Sequence, residues 1–254
     1  GRRALPNALS GIRVHAGKQA LIQGNVVSGN RQAGIELVGG TTQNLVQGNW
    51  IGTDVSRTRA IGNGTSGVVV LGDDTVSNGI VANSIAFNGR LGIDLNGDGV
   101  TPNDHGDQDS GPNGLQNFPK LYVLPNTGQV DQVCLQVELD SRPGRLYRID
   151  VFASRRSDLS GYGEGQRPVG EFPLWTDDSG FGVIVVYVQA QPGEWLTATA
   201  TSVEGTSEFS QAVLTTRRGA LPGLLVKESA GARAIVAGRT FQVTGDAPGN
   251  GGPV

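Results

Sequence analysis

Short bursts of alternating apolar and polar residues recur along the first part of the chain. "SGIRV" (10–14), "AGIEL" (33–37), "SGVVV" (66–70) and "LGIDL" (91–95) share one pattern, with glycines at 11, 34, 67 and 92. The pairs Ile12/Val14, Ile35/Leu37, Val68/Val70 and Ile93/Leu95 alternate with period two, which predicts strands that turn these side chains inward. A second motif follows the first three: "IQGNVVSGN" (22–30), "VQGNWIGTD" (46–54) and "IVANSIAFN" (80–88). Aligned on Asn25, Asn49 and Asn83, it places Val27, Ile51 and Ile85 in a second inward column. A step of about 23–25 residues carrying two short strands is the length of one solenoid coil. Residues 1–95 are therefore expected to form a short parallel solenoid. Asn25, Asn49 and Asn83 should stack at a bend, each amide bonding the neighbouring coil. The longer step contains "TDVSRTRAIGNGTS" (53–66), expected to bulge as a loop of about ten extra residues.

Different rules govern residues 120–216. "KLYVL", "VCLQVEL", "LYRIDVFAS", "VGEFPLW", "FGVIVVYVQ", "EWLTATATS" and "SQAVLTT" are strand candidates separated by turn residues. Seven strands at this spacing predict an antiparallel immunoglobulin-like β-sandwich. "RRSDLSGYGEGQRP" (155–168) is expected to be a long exposed connection. Residues 96–119 form an acidic, glycine-rich junction, and 217–254 a linker with a C-terminal strand segment, "LLVKES" and "RTFQVTG". The fold class expected is thus all-β, a short right-handed parallel β-helix followed by a sandwich.

Composition agrees with two β architectures. The 254 residues suffice for substantial cores, and 40 glycines and 12 prolines with 6% aromatic residues indicate tight turns and few helices. Thirteen asparagines lie between Asn7 and Asn117, and only Asn126 and Asn250 follow, which marks a boundary between the halves. A net charge of −3 gives no electrostatic footprint for nucleic acid. No apolar run approaches the roughly 18 residues of a membrane span. Cys134 stands alone, so no internal disulfide is possible, and its apolar surroundings suggest a small core residue. The absence of methionine suggests a processed or partial form of a longer product.

Candidate chemistry concentrates in "GIDLNGDGVTPNDHGDQDSGPNG" (92–114). Asp94, Asn96 and Asp98 followed by Gly99 match the first half of a calcium loop, since calcium takes six to eight hard oxygens in a glycine-permitted turn. The second half departs from that pattern: the twelfth position is His105, not a bidentate glutamate. A structural calcium ion held among Asp94, Asn96, Asp98, Asp104, Asp107 and Asp109 and a solvated loop whose aspartates cap turns both remain open. Catalysis has less support. The outward column of the first motif runs Arg13, Glu36, Val69, Asp94, so Val69 separates the acids; that of the second, Val26, Trp50, Ser84, holds none. His15 and His105 lack a nucleophile–base context, which leaves loop residues such as Asp54, Asp73 and Asp74. Trp50 suits either stacking on a sugar or burial under its own loop, and the second is expected.

These residues also carry a family likeness. "NLVQGNWIGTDVSRTRAIGN" resembles the coil sequence of secreted bacterial right-handed parallel β-helix repeat proteins. "LGIDLNGDGVTPNDHGDQDSGPNGLQNFPKL" is similar to the junction after the last coil in large surface proteins of that group, and "YRIDVFAS…GYGEGQ…TDDSGFG…TATATSVEGTSEFS" to the sandwich that follows. The chain departs from them in having only about three and a half coils. The resemblance implies an extracellular or cell-surface location and a multi-modular context, and it offers no catalytic residues to carry over. The expected role is a non-catalytic structural or adhesive protein, a surface scaffold or filament subunit assembling by strand or coil-end pairing. Its partners would be further copies or other surface proteins. The alternative is a carbohydrate-binding or polysaccharide-degrading protein.

Overall fold

A computed structural model describes residues 6–125 and 132–215, together with a short pair of strands, Ile235–Val236 and Arg239–Thr240. The protein is all-β, with parallel and antiparallel sheets, none closed on itself. The rest of the segment 217–254, including "LLVKES" and most of "RTFQVTG", lies outside the described residues.

The amino-terminal repeats build three parallel sheets, each taking one strand per repeat. β1 (Ile12–His15), β4 (Ile35–Val38), β7 (Val68–Leu71) and β10 (Ile93–Leu95) form the first sheet. β2 (Leu21–Gln23), β5 (Leu45–Gln47) and β8 (Gly79–Val81) form the second, and β3 (Val26–Val27), β6 (Trp50–Ile51) and β9 (Ser84–Ile85) the third. Each repeat therefore carries three strands where alternation alone suggests two. The second motif breaks where Gly24 (φ 70°), Gly48 (φ 61°) and, in the third repeat, Ala82 (φ 52°) take the left-handed conformation and turn the chain between strands. Registers match the sequence columns: Ile12, Ile35, Val68 and Ile93 align, as do Val14, Leu37, Val70 and Leu95, and Val27, Ile51 and Ile85. From the second repeat onward these inward side chains are at most 1% exposed. The recurrent glycines mark close approach of backbones. A Cβ on Gly34 would lie 2.6 Å from the Gly67 carbonyl, and one on Gly67 equally near that of Gly92.

Asparagines line all three corners. Between the second and third sheets, the backbone N and Nδ2 of Asn25 donate to Asn49 Oδ1 (2.9 and 3.1 Å), and those of Asn49 to Asn83 Oδ1 (2.9 and 3.0 Å). Asn44 donates likewise to Asn78 Oδ1, and Asn78 N to Asn113 Oδ1 at 3.0 Å. The third ladder runs Asn7, Asn30, Asn63, Asn88 by the same paired donation. Sequence spacing reveals the first ladder; the other two account for most of the remaining asparagines. The inserted loop is shorter than 53–66. Thr53 bridges Ala60, the turn folds onto the Asp54 carboxylate, and Asn63 has already rejoined a ladder.

Two antiparallel sheets follow. One is ordered β11 (Lys120–Leu124), β12 (Gln132–Asp140), β15 (Phe181–Gln189). The other is ordered β14 (Arg167–Trp175), β13 (Leu146–Ser154), β16 (Trp195–Ser202), β17 (Gly205–Thr206), with β18 (Val213–Leu214) also on β16. Leu121, Leu135, Val137 and Leu139 from the first share a core with Ile149, Val151, Leu174 and Ala198 from the second. Cys134 is buried but lies opposite Tyr187 in register and is not part of that core. From Asp150 onward β13 is buried on both faces. One face meets the shared core, while Phe152 on the other joins the core of the stacked repeats.

Asn49→Ala is expected to cost about 1–3 kcal/mol, because it orphans the amide donors of Asn25 and removes the Nδ2 bonds to Ile22 O and Gln47 O. Asn25→Ala, at an exposed position, should cost clearly less. Urea denaturation of both variants checks the difference.

Candidate functional site at the acidic junction and its joint

The six candidate ligands separate into two groups. Asp94 lies on β10 in register with Val69, but its side chain is buried, accepting from Ser66 Oγ (2.8 Å) and from Gly99 N (3.3 Å). Burial raises its pKa. Asn96 donates to Asp98 Oδ2 (3.0 Å) within a run of left-handed residues, Asn96, Gly97 and Gly99. This half of the calcium-like motif folds as a tight turn.

Asp104, Asp107 and Asp109 come together, each offering a carboxylate oxygen within 4.8 Å of the others. Asp107 is almost fully buried and accepts from Asn117 N (2.9 Å) and Ser141 Oγ (2.7 Å). Burial nonetheless pushes it up to about 6. Burial and the neighbouring Asp104 also raise Asp109. Asp104 Oδ1 and Asp109 Oδ1 are buried without a hydrogen-bond partner among the described residues. Arg142 stands near Asp107 and Asp109 and lowers both, but its Nη1 is committed to Glu204 at 2.6 Å. These three carboxylates are the residues that could hold a metal ion, each offering a hard oxygen. Asn117 braces the group, accepting from Asp104 N and donating to the carbonyls of Asp104 and Asp140.

Other expected features are scattered. Arg13 and Glu36 form an ion pair at 3.4 Å on the first repeats. His105 pairs with the Asp140 carboxylate (3.0 Å), which raises its pKa. Trp50 is half-buried between Val26 and Ser84 in the outward column.

The residues that sequence reasoning missed are those with which the sandwich closes the last repeat. Glu164 Oε1 accepts both amide donors of Asn88 (3.0 and 2.9 Å), so it occupies the place of the next asparagine, while Oε2 accepts Phe87 N. Gly165 O accepts Ile85 N on the third sheet (2.8 Å), Thr206 Oγ1 accepts Ile80 N on the second (2.8 Å), and Glu208 Oε1 accepts Leu95 N on the first (2.9 Å). The Phe209 ring lies where a Cβ on Gly92 would come within 2.7 Å, and packs edge-on against Phe152 at 5.2 Å. The connection 155–168 is thus exposed only in part: Gly163, Glu164 and Gly165 are buried in this joint. The cue in the sequence was a glutamate between glycines, "GEG", in an otherwise surface-like stretch.

No protein-family model matches the chain, and no curated protein sequence matches it. Among the described residues no helix is long and apolar enough to cross a membrane.

Phe209→Ala should destabilise by about 3–5 kcal/mol, since it opens a cavity where two cores meet. A single denaturation transition that moves as a whole is the expected outcome. Loss of the stacked repeats alone, with the sandwich midpoint unchanged, would show the two units to be independent.

Proposed function

We propose that this protein is a structural module of an extracellular or cell-surface assembly. Its repeats are taken as a short right-handed parallel β-helix and its second half as an immunoglobulin-like sandwich that seals the helix and presents loops. The observation that carries this reading is the investment of ten asparagines, in three axial ladders, in rigidity along the stack. Amide ladders add hydrogen bonds parallel to the backbone ladders and stiffen the stack along its axis. The role is mechanical: a stiff rod joined to a display domain, with further copies or other surface proteins as partners. Electron microscopy and light scattering of the purified chain over a range of concentrations test it. Filaments or concentration-dependent mass support self-association, while a strict monomer that also binds no surface protein would count against the scaffold role.

Carbohydrate binding is the second reading. An open groove of about 300 Å³ beside the junction is lined by Tyr122, Tyr162, Lys120 and Gln211 over the buried Phe118, rings and polar groups of the kind that meet sugars. Incubation with acidic polysaccharides, followed by absorbance of unsaturated products, would detect cleavage and overturn the non-catalytic reading.

The Asp104–Asp107–Asp109 cluster is proposed to hold a structural calcium ion. At a calcium concentration one hundred times Kd, the ion should add about 2.7 kcal/mol of stability. The melting midpoint should fall on chelation, and Asp104→Asn with Asp109→Asn should abolish that response. An unchanged midpoint in the wild-type chain would remove the ion.

A further inference from the structure

We infer that Asn96 is a site of spontaneous covalent modification. The fold leaves it open to deamidation through the Asn96–Gly97 peptide and guards the other described peptides of that kind. Six asparagines in the chain precede a glycine: Asn63, Asn78, Asn88, Asn96, Asn113 and Asn250. The last of them lies outside the described residues. In such a pair the glycine nitrogen can attack the asparagine side-chain carbonyl, because a residue without a Cβ neither shields that nitrogen nor resists the rotation required.

Four of the five described pairs are blocked at both reacting groups. Their attacking nitrogens are engaged: Gly64 N donates to Asn30 O (2.8 Å), Gly79 N to Asn44 O (2.9 Å), Gly89 N to Asn63 O (2.9 Å) and Gly114 N to Gly111 O (2.8 Å). The side chains that would be attacked are ladder members, at most 7% exposed. Their Nδ2 groups are also held, Asn63 by Asn88 Oδ1, Asn78 by Thr41 O, Asn88 by Glu164 Oε1 and Asn113 by Asn78 O. Reaction at any of them requires its corner to open first.

Asn96 differs on each count. It is exposed, just past the end of β10. Its Nδ2 makes a single exposed bond, to Asp98 Oδ2 (3.0 Å). Among the described residues Gly97 N donates to no acceptor. Asn96 N is anchored on Val70 O (2.9 Å), so the reacting peptide lies on the free side of a held residue.

The chemistry needs only water. Gly97 N gives its proton to solvent and bonds to Asn96 Cγ, while the Cγ–Nδ2 bond breaks and Nδ2 leaves as ammonia with a proton from solvent. Water then opens the cyclic imide at either carbonyl. Cleavage of the new bond leaves an aspartate. Cleavage of the original peptide bond leaves an isoaspartate, whose main chain is longer by a methylene. Overall, water is consumed and ammonia released. Either product puts a carboxylate where Nδ2 donated to Asp98, so an attraction becomes a repulsion within the turn that leaves the stack.

The purified chain, folded or in guanidinium chloride, is incubated at neutral pH, digested, and mapped by mass spectrometry for amide-to-acid exchange. In the folded chain Asn96 should convert at least about tenfold faster than Asn63, Asn78, Asn88 and Asn113, a gap set by local opening of the corners. In guanidinium chloride the five should convert at comparable rates. Asn96→Gln, whose longer side chain disfavours the ring, should remove the modified peptide from the folded chain. Two outcomes overturn the inference: Asn96 staying intact in the folded chain while the unfolded chain converts, or a ladder asparagine converting as fast as Asn96 in the folded chain.

Discussion

A stack of parallel strands always ends on an edge whose N–H groups have no next strand to receive them. Within the repeats each edge is satisfied by the following repeat, in backbone ladders and in amide ladders at the corners. After β10 the chain supplies no further repeat, and a buried N–H left without an acceptor costs on the order of 1–3 kcal/mol. The sandwich meets this constraint on all three faces, through Glu208, Thr206 and Gly165. Much else follows from it. β13 is buried on both faces near its end, the connection 155–168 dips into the joint, and the Phe209 ring packs close against Gly92.

The choice of glutamate at the end of the third ladder has a chemical reason. An asparagine has one acceptor oxygen, and in this ladder Asn30, Asn63 and Asn88 each receive two donors on it from the asparagine before. Position 164 has to receive those two and Phe87 N as well, and its second oxygen must be an acceptor too. A carboxylate provides this, whereas an amide would turn a donor toward a donor. The consequence is an acid held away from water beside other acids. Glu208 repeats the arrangement, with one backbone N–H on each oxygen. Capping groups of this kind satisfy the backbone at the expense of their own solvation, so acidity concentrates at the joint for structural reasons without implying acid–base chemistry.

Local periodicity carried most of the architecture. The glycine and asparagine columns gave the registers of the parallel sheets, and the strand candidates of the second half match β11 to β16 within a few residues. What was not legible is what joins residues far apart in sequence. Asn88 and Glu164 are 76 positions apart, and no period links them. The turn that splits each second motif into two strands was hidden because its left-handed residue, Gly24, Gly48 or Ala82, sits inside an otherwise continuous run. The six candidate ligands looked like one set by spacing. Ser66, which lies 28 positions before Asp94, engages that carboxylate and so withdraws it from the other aspartates.

The junction matters mechanically because it is bonded to both neighbours. Asp107 accepts from Ser141, whose single hydroxyl proton is then committed, so Tyr147 in the sandwich core must act as the donor in its 2.8 Å contact with Ser141. Toward the repeats, Asn113 accepts Asn78 N and returns Nδ2 to Asn78 O and Thr206 O, ending the second ladder within the same segment. A cation at Asp104, Asp107 and Asp109 would neutralise the charge that burial disfavours and would cross-link the three carboxylates. Protonation of Asp107 would relieve the charge but supply no such bridge. The two ways of neutralising the acids therefore differ in what they do to the junction: protons relax its repulsions, and a metal would also hold Asp104, Asp107 and Asp109 to one another.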